Sequence, residues 1–204
     1  MKQIEISRAT MGRIPIYLKY LKDTDLCTEN ISATALAKGL GLGEVQVRKD
    51  LGAVSGAGRP KTGYNVSELI NVLENFLGRN ENSSVVIVGA GKLGRALLDY
   101  SGFQEYGLDI MAAFDAAVSE PEKSNLGKPI YSMDALDSFC KENNIRIGVI
   151  AVPAHSAQEI CDRFIRNGIR AIWCFAPCVL SVPPEIPVQY ENMALSLAYL
   201  NKKI

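Results

Sequence analysis

The spacing of apolar residues predicts several amphipathic helices in the first part of the chain. RIPIYLKYLKD is predicted to be helical because four apolar residues recur on one face, at Ile14, Tyr17, Leu18 and Leu21. ISATALAKGL predicts a second helix, with Ser32 as its N-cap and with Leu36 and Leu40 on one face. VSELINVLENFLG predicts a fourth helix, capped by Ser67.

A third helix and a glycine-rich segment lie between the second and fourth helices. The turn GLG at 41–43 leads into EVQVRKDLGAV, in which Val45 and Leu51, with Val47 beside them, are predicted to face inward. The predicted outward positions of this helix are Gln46, Arg48, Lys49 and Asp50. SGAGRPKTGYNV predicts a small β-hairpin, or wing, that ends at Tyr64. Residues 1–78 are therefore predicted to be a winged helix-turn-helix domain.

After a polar linker, RNENSS at 79–84, the pattern changes to alternating strands and helices. Strands are predicted in VVIV, LDIMAAFD, IRIGVIAV and IRAIWCFA, with helical segments between them. This alternation is typical of an α/β fold with a doubly wound, Rossmann-like parallel sheet, predicted over residues 85–190. The apolar segment MALSLAYL, in the remaining residues 191–204, predicts a helix that either packs on its own domain or is exchanged with a partner chain.

The turn after the first of these strands has the pattern of a dinucleotide-binding loop. Gly89 permits a tight turn, Gly91 lets the backbone approach a pyrophosphate, and Gly94 lets the following helix pack closely on the strand. Asp115 ends the next strand, where a carboxylate is expected to bind a ribose 2′-hydroxyl and to disfavour a 2′-phosphate. NAD is therefore predicted as the ligand rather than NADP. The predicted loop residues are Gly89, Ala90, Gly91, Lys92, Leu93 and Gly94.

The ends of two later strands are predicted to lie near the nicotinamide. AVPAHS and CFAP contribute apolar residues there, namely Val152, Pro153, Phe175, Ala176 and Pro177. Burying the positive ring of NAD⁺ among apolar groups costs free energy that the neutral ring of NADH does not incur. Tighter binding of NADH is therefore expected.

Charge and composition add a candidate phosphate-binding patch. The chain of 204 residues has a net charge of zero, but eleven basic and eight acidic residues up to Asn80 give that part a charge of +3. Four basic residues cluster there, at Arg48, Lys49, Arg59 and Lys61. Such a cluster suits phosphate, although a solvated surface has the same appearance. No apolar run is long enough to span a bilayer, so no membrane contact is expected. Because the N-terminus lacks an apolar signal core, secretion is not expected either.

Candidate catalytic and metal-binding residues are few. Five cysteines without a CxxC pair, and a single histidine, predict no metal site and fit a reduced cytoplasm. His155 begins a helix beside the predicted pocket, and Tyr199 and Lys203 have a YxxxK spacing at the C-terminal end, but neither has a predicted partner to orient it. Cys174 and Cys178 near the pocket are either reactive thiols or buried apolar side chains. We expect a binding protein with no catalytic residue. The alternative is a small NAD-dependent oxidoreductase or a CoA-ligase-like nucleotide-binding protein.

Taken together, these segments resemble the Rex family of redox-sensing transcriptional repressors over nearly the whole chain. The resemblance is carried by VQVRKDL, the wing ending in TGY, VGAGKLGRAL, DYSGF, AVPA, CFAPCVLSVP and YENMALSLAYL. It implies a winged helix that binds an inverted-repeat operator, competitive binding of NADH and NAD⁺, and a homodimer that exchanges its C-terminal helix. It also implies that NADH releases the DNA, and that Tyr100 and Phe103 lie near the nicotinamide and the subunit interface.

In the predicted winged helix, the third helix enters the major groove of DNA. Arg48 and Lys49 are the candidates for contacts to base edges or phosphates, with Gln46 and Ser55 beside them. The wing residues Arg59, Lys61 and Tyr64 are the candidates for the DNA backbone or the minor groove.

The sequence departs from the family pattern at three places. GAVSG follows RKDL where many members have an aromatic–glycine pair, and Pro60 lies between the two basic residues of the wing. Ala194 occupies a position that is often acidic in the family. These departures bear on operator preference and on how coenzyme binding is coupled to DNA release.

Overall fold

The computed structural model describes residues 6–23, 29–78 and 83–203. The chain divides into two compact units, residues 1–81 with 105–107, and residues 82–104 with 108–204. In the first unit the elements are α1 (Arg8–Asp23), β1 (Asn30–Ile31), α2 (Ala33–Leu40), α3 (Glu44–Ser55), β2 (Tyr64–Asn65) and α4 (Val66–Phe76).

The core of the first unit is formed by the apolar faces of its four helices. All four apolar residues predicted to face inward from α1 are buried, and Leu36 of α2 is fully buried with them. Ser32 caps α2 as predicted, because its hydroxyl accepts a 3.0 Å hydrogen bond from the backbone N–H of Ala35. The helix ends at Gly41, whose left-handed backbone (φ 65°) favours glycine.

Helix α3 is rotated relative to the predicted orientation. Val47 and Leu51 are fully buried, but Val45 is 65% exposed and Asp50 is only 3% exposed. The prediction was therefore wrong for Val45 and for Asp50. The reason is that α1 supplies hydrogen-bond donors to Asp50, so this position of α3 is filled by a paired carboxylate rather than by an apolar side chain.

The predicted wing is a very short hairpin. Arg59 and Gly63 exchange two backbone hydrogen bonds, of 2.7 and 2.9 Å, and β2 then pairs antiparallel with β1. Gly63 has φ 80°, and a Cβ there would lie 2.3 Å from the carbonyl oxygen of Ile31, so only glycine fits. The predicted cap of the next helix was wrong: α4 begins at Val66 and is capped by Asn65, because strand pairing ends at that residue.

The second unit is an α/β sheet of seven strands. Its elements are β3 (Ser83–Val88), α5 (Lys92–Leu98), β4 (Leu108–Asp115), β5 (Glu122–Lys123), β6 (Pro129–Ser132), α6 (Leu136–Glu142), β7 (Ile147–Ile150), α7 (Ala154–Arg166), β8 (Ala171–Cys174), β9 (Val188–Tyr190) and α8 (Met193–Asn201). The strand order is β5-β6-β4-β3-β7-β8-β9, and every pair is parallel except β5 with β6. The predicted doubly wound parallel sheet is confirmed.

Two apolar layers cover the two faces of this sheet. Val86 and Val88 belong to a buried cluster that includes Leu136 of α6 and Phe164 of α7. Val85 and Ile87, which alternate with them, belong to a second cluster with Leu98 of α5 and its neighbours. Apolar side chains that alternate along this central strand therefore pack against helices on both faces of the sheet. The carboxyl ends of the strands lie outside these two layers and stay open.

The prediction missed part of the sheet. The last predicted strand was IRAIWCFA, but β9 follows β8 and pairs with it in parallel, and β5 and β6, which were not predicted either, extend the opposite edge. These strands are two to four residues long and are mostly not buried, so they have little apolar alternation for sequence to reveal. The predicted linker was also too long, since Ser83 and Ser84 belong to β3, while residues 79–82 lie outside the described residues.

Candidate functional site

A cleft of about 480 Å³ opens at the carboxyl ends of β3, β4 and β7. Five of the residues predicted for a nucleotide site line it, namely Gly89, Gly91, Asp115, Val152 and Pro153. Ligands bind at this edge in open parallel sheets because the loops that follow adjacent strands diverge there. The glycine loop is therefore located where a nucleotide site is expected.

Each glycine of the loop has a distinct local role. Gly89 has φ 104°, and a Cβ there would lie 2.5 Å from the carbonyl oxygen of Ala151. A Cβ on Gly94 would lie 1.8 Å from the carbonyl oxygen of Gly89, so this glycine lets α5 pack against the loop. A Cβ on Gly91 would meet no atom within 4 Å. The first and last glycines are thus required by the fold, whereas the middle one leaves the backbone open to a ligand.

Asp115 supports the loop and borders a second cleft. Its carboxylate accepts hydrogen bonds from the backbone N–H of Ala90, at 2.6 Å, and of Ala117, at 2.9 Å. The second cleft, of about 450 Å³, is lined by Gly91, Asp115 and the segment that follows β4. The two clefts therefore share Gly91 and Asp115 and meet at the glycine loop.

Helix α7 contributes cleft residues that the sequence analysis did not name. Ser156, Glu159, Ile160 and Arg163 line the 480 Å³ cleft, and their spacing puts them on one face of the helix. Arg163 donates to the carboxylate of Asp137 at 2.8 Å and to a backbone carbonyl oxygen, and its hydrogen bond holds the pKa of Asp137 below its usual range. The helical spacing after AVPAHS is the sequence signal that was available to find this face.

Several predicted coenzyme residues do not line the cleft. Phe103 packs edge-to-face on Tyr100, with ring centroids 5.1 Å apart, and on Trp173, at 5.8 Å. Trp173 in turn lies 4.6 Å from Phe175, so the four rings form a continuous aromatic row. Ala90 lines the second cleft instead. Of the others, Ala176 is buried in the core, Leu93 is half-buried, and Pro177 and Lys92 are exposed. Contact with the nicotinamide stays a prediction for Tyr100, Phe103, Phe175, Ala176 and Pro177.

The candidate reactive groups are not arranged for catalysis. His155 is exposed on α7 and does not line the cleft. Burial raises the pKa of Cys174, which favours the neutral thiol over the nucleophilic thiolate, and Cys178 is a free, partly buried cysteine. Lys203 lies over the ring of Tyr199, 4.7 Å from its centroid, rather than beside a substrate site. Cys27 lies outside the described residues.

Six of the seven predicted DNA-binding residues lie on two neighbouring surfaces of the first unit. Arg48, Arg59, Lys61 and Tyr64 line a groove of about 510 Å³ between α3, the wing and the start of α2, which we call the wing groove. Arg48 pairs with Glu44 one turn earlier, and Arg59 lies 4.0 Å from Glu68, all with largely exposed side chains. Exposed pairs of this kind contribute little to stability, so phosphate can replace the carboxylates.

Gln46 and Lys49 lie on the second surface, at the start of α3. They line a shallow depression of about 560 Å³ together with Thr10 and Arg13 of α1. Ser55 lies at the other end of the helix, where its hydroxyl donates a 2.8 Å hydrogen bond to the carbonyl oxygen of Leu51. The hydroxyl of Ser55 is thus engaged with its own helix.

Helix α8 presents apolar side chains to solvent along its whole length. Its exposed apolar residues are Met193, Leu195, Leu197, Tyr199 and Leu200, each between 59% and 71% exposed. Of the two predicted alternatives, packing on its own domain is therefore not what the structure shows. Ala194 is exposed on the same helix.

Neither a membrane-spanning helix nor a metal site is found in the described part of the chain. In residues 6–23, 29–78 and 83–203, no helix is long and apolar enough to cross a membrane. Within the same ranges, no group of three or more His, Cys, Asp or Glu side chains is arranged to hold a metal ion.

Comparison with known proteins gives matches to both units. A family model described as "Putative DNA-binding protein N-terminus" matches residues 5–52, and one described as "CoA binding domain" matches residues 80–178. The redox-sensing transcriptional repressor Rex of Treponema denticola is 39% identical, over 98% of this chain and 95% of its own length. The repressor of the same name from Desulfitobacterium hafniense is also 39% identical, over 98% of this chain and 96% of its own length.

Solved structures of one Rex-family repressor, RSP, are similar over both units. The structure of RSP with β-NAD⁺ and operator DNA has a TM-score of 0.83 and 31% identity, covering 97% of this chain and 92% of RSP. The structure of RSP with β-NADH has a TM-score of 0.76 and 31% identity, covering 98% of this chain and 94% of RSP.

Proposed function

Because the chain belongs to the Rex family of redox-sensing transcriptional repressors, we propose that its first unit binds operator DNA and that its second unit binds NADH and NAD⁺ in competition. The family consists of transcriptional regulators, so the chain is a regulator and not an enzyme. In this proposal, NADH releases the chain from an inverted-repeat operator, and transcription responds to the NADH/NAD⁺ ratio of the cytoplasm.

One observation carries the coenzyme part of the proposal: the two clefts meet at the glycine loop and share Gly91 and Asp115. A dinucleotide has two nucleosides joined by a pyrophosphate, and its pyrophosphate suits a backbone without a side chain, such as that at Gly91. One nucleoside then occupies the cleft beside Val152 and Pro153, and the other lies beyond Asp115. The carboxylate of Asp115 suits a ribose hydroxyl and repels a 2′-phosphate, which favours NAD over NADP.

The apolar residues of the cleft support the preference for NADH. Val88, Ala151, Val152, Pro153 and Ile160 line the same cavity. The nicotinamide ring is positive in NAD⁺ and neutral in NADH. Transfer of the charged ring into an apolar environment costs more free energy than transfer of the neutral ring. Phe175, Ala176, Pro177, Tyr100 and Phe103 remain the proposed further contacts of the ring.

The DNA part of the proposal rests on the wing groove and on the start of α3. Arg48, Arg59 and Lys61 share one concave surface, and Lys49 is exposed on the same helix as Arg48. If these four cations each meet a phosphate, a dimer makes about eight contacts, and its affinity falls by roughly 10³–10⁵ between 50 and 200 mM salt. A single subunit makes half as many contacts and binds much more weakly.

Helix α8 supports a homodimer. Exposed apolar side chains cover it on all sides, and a helix that is apolar all round is usually buried in an assembly. We therefore propose that α8 is exchanged with a second copy of the chain. Two α3 helices then bind half-sites about one turn of DNA apart, roughly 34–36 Å.

A gel-shift experiment tests the proposal as a whole. An operator duplex is first recovered by selecting bound sequences from a random library, and the full chain is then titrated onto it with NADH or NAD⁺. The shifted band is expected to disappear with NADH and to persist with NAD⁺. Equal binding in both titrations would contradict the proposal.

The match to a CoA-binding family model makes CoA a second candidate ligand for residues 80–178. The relatives that match nearly the whole chain, and the RSP structures with β-NAD⁺ and β-NADH, favour the nicotinamide coenzymes. Adding CoA to the same gel shift separates the two: CoA is expected to leave the band unchanged.

A further inference from the structure

The DNA-facing start of α3 is connected to a buried carboxylate. Asp50 is 3% exposed, and its two oxygens accept four hydrogen bonds from α1. Arg13 donates two of these, at 2.6 and 2.8 Å, Tyr17 donates one at 2.6 Å, and Thr10 donates one at 3.0 Å. Burial by itself raises the pKa of Asp50, but the hydrogen bonds from these three residues outweigh it and hold that pKa below its usual range. The guanidinium group of Arg13 is thus fixed by a charged partner inside the unit.

Arg13 also reaches out of the core to Gln46. With the carboxamide oriented so that its oxygen faces the guanidinium group, this oxygen accepts a 2.9 Å hydrogen bond from Nη1 of Arg13. The same oxygen lies 2.9 Å from Nε, whose single N–H is shared with Asp50. Gln46 is exposed at the start of α3 and lines the same depression as Arg13. Arg13 therefore connects a buried carboxylate to an exposed carboxamide.

This connection restricts what Gln46 offers to a base. A free glutamine uses its oxygen and its NH₂ group together, and so pairs with N6 and N7 of adenine. When Arg13 holds the oxygen, the NH₂ group is the end of the carboxamide that can meet a base, and it only donates. The complementary groups in the major groove are acceptors, namely N7 and O6 of guanine, N7 of adenine and O4 of thymine.

We propose that Arg13 is a positioning residue that fixes Gln46 as a hydrogen-bond donor to one base pair of each half-site. The proposal rests on the DNA-binding function proposed above. Arg13 itself need not touch DNA, because it acts through the orientation of Gln46. The buried position of Asp50 gives Arg13 a fixed anchor, so the orientation of Gln46 is set before DNA binds.

The test measures base preference, which a merely structural role of Arg13 would leave unchanged. Sequences bound from a random duplex library are compared for the wild-type chain and for Gln46→Met, and the base pair whose preference Gln46→Met removes is the one that Gln46 reads. Affinities are then measured on duplexes that differ at that pair. Arg13→Lys keeps a positive charge beside Asp50, but a single ammonium group lacks the planar fork that meets Asp50 and Gln46 at once. We expect Arg13→Lys to reduce the preference at this pair by roughly fivefold to tenfold, the lower range for a good base contact.

Two further variants separate positioning from folding. Thr10→Val removes one hydrogen bond to Asp50 and a long one, of 3.4 Å, from Nη2 of Arg13. It leaves the contacts of Nη1 and Nε with Gln46, so it is expected to keep the wild-type preference. In the Gln46→Met background, Arg13→Lys is expected to cause no additional change at this pair. Should Arg13→Lys fail to fold, Gln46→Glu provides the test instead. Its carboxylate only accepts hydrogen bonds, so the base preference should shift toward a base that offers a donor, such as N4 of cytosine.

The outcomes are distinct from those that test DNA binding itself. A wild-type chain that selects no sequence contradicts the proposed function. A wild-type chain that selects an operator, with a preference at the Gln46 pair unchanged by Arg13→Lys or by Gln46→Glu, overturns the positioning role alone. An equal shift by Arg13→Lys with and without Gln46 also overturns it.

Discussion

The two units form their candidate sites in different ways. In the first unit, exposed side chains such as Arg48 and Lys61 form the site, and buried residues such as Asp50 hold the helix beneath it. In the second unit the backbone itself forms much of the site, since Gly89 and Gly94 have no room for a side chain. Charged surface residues can therefore be exchanged without loss of the fold, whereas one added methyl group in the glycine loop affects the fold and the site together.

The largest expected effect is that of removing α8, which belongs to the second unit, on operator binding by the first unit. A chain that ends at Asn192 lacks α8 and its exposed apolar side chains, so it is expected to be monomeric. Binding to one half-site instead of two should weaken operator binding by roughly 10²–10⁴, the usual gain from linking two binding modules. Analytical ultracentrifugation and anisotropy of a labelled duplex measure the two effects. A truncated chain that still forms dimers with unchanged affinity would refute the exchange of α8.

A methyl group at Gly94 should have the next largest effect. Its Cβ would lie 1.8 Å from the backbone oxygen of Gly89, so the loop must move, and we expect a loss of about 3 kcal/mol in the free energy of unfolding, the upper range for overpacking. Denaturant unfolding measures this loss for Gly94→Ala. NADH binding, followed by fluorescence of Trp173, should be lost as well.

Gly91→Ala is the matched control for this loop. A Cβ at Gly91 meets no atom within 4 Å, and the backbone there has an ordinary φ of −68°, so stability should be unchanged. Coenzyme affinity should nevertheless fall, because the methyl group occupies the proposed approach of the pyrophosphate. Unchanged NADH affinity in Gly91→Ala would mean that the coenzyme does not lie over this loop.

Asp50→Asn should lower the free energy of unfolding of the first unit and leave that of the second unit unchanged. Removing one partner of a buried ion pair costs about 3–5 kcal/mol, and because the side chain of Arg13 is 21% exposed we expect a smaller loss, of about 2–3 kcal/mol. Chemical denaturation measures the difference. Thr10→Val, which removes a single neutral donor to the same carboxylate, should cost only about 1 kcal/mol. A similar loss for both variants would show that the charge of Asp50 is unimportant.

The same carboxylate gives a prediction for pH. The pKa of Asp50 is lower in the folded chain than its ordinary value, so its ionised form stabilises the fold above the unfolded pKa of about 3.9. This contribution is lost as the pH falls from about 3.9 through the lower folded value. The stability difference between the wild-type chain and Asp50→Asn should therefore be constant near neutral pH and should shrink in that acidic range. A difference that grows as the pH falls would contradict this assignment.

The smallest expected effects are those of single wing cations. Arg59→Ala removes an exposed side chain whose neighbour, Glu68, is 4.0 Å away and also exposed, so stability should not change measurably. Operator affinity should fall about equally on all sequences, and the slope of log affinity against log salt should decrease by about one for each phosphate that the variant no longer neutralises. Lys61→Ala should behave alike. A change in base preference instead would assign these residues to base reading.

The features of the fold that depend on apolar periodicity and on glycine spacing could mostly be predicted from the sequence. The buried face of α1, the Ser32 cap, the wing and the parallel sheet follow from local patterns that tertiary contacts do not override. Val45 and Asp50 were assigned wrongly because the polarity of a side chain does not reveal a buried partner on another helix. Strand β9 was missed because its residues are largely exposed and its pairing depends on a distant strand.

The candidate site was predictable to a similar degree. Gly89, Gly91 and Asp115 follow from spacing, and the structure brings these three residues together at one cleft. The contribution of α7, through Ser156 and Arg163, depends on the direction in which one helical face points and therefore required the fold. The link from Arg13 to Gln46 joins residues 33 positions apart, and no local pattern indicates it.

The central claim is tested most directly by anisotropy of a labelled operator duplex at fixed total coenzyme while the NADH/NAD⁺ ratio is varied. If NADH occupies the glycine-loop cleft and thereby lowers the affinity for DNA, the fraction of operator duplex that is bound should fall steeply as NADH replaces NAD⁺. Gly94→Ala should abolish this dependence on the coenzyme ratio. A bound fraction that stays constant across all ratios in the wild-type chain would contradict the account.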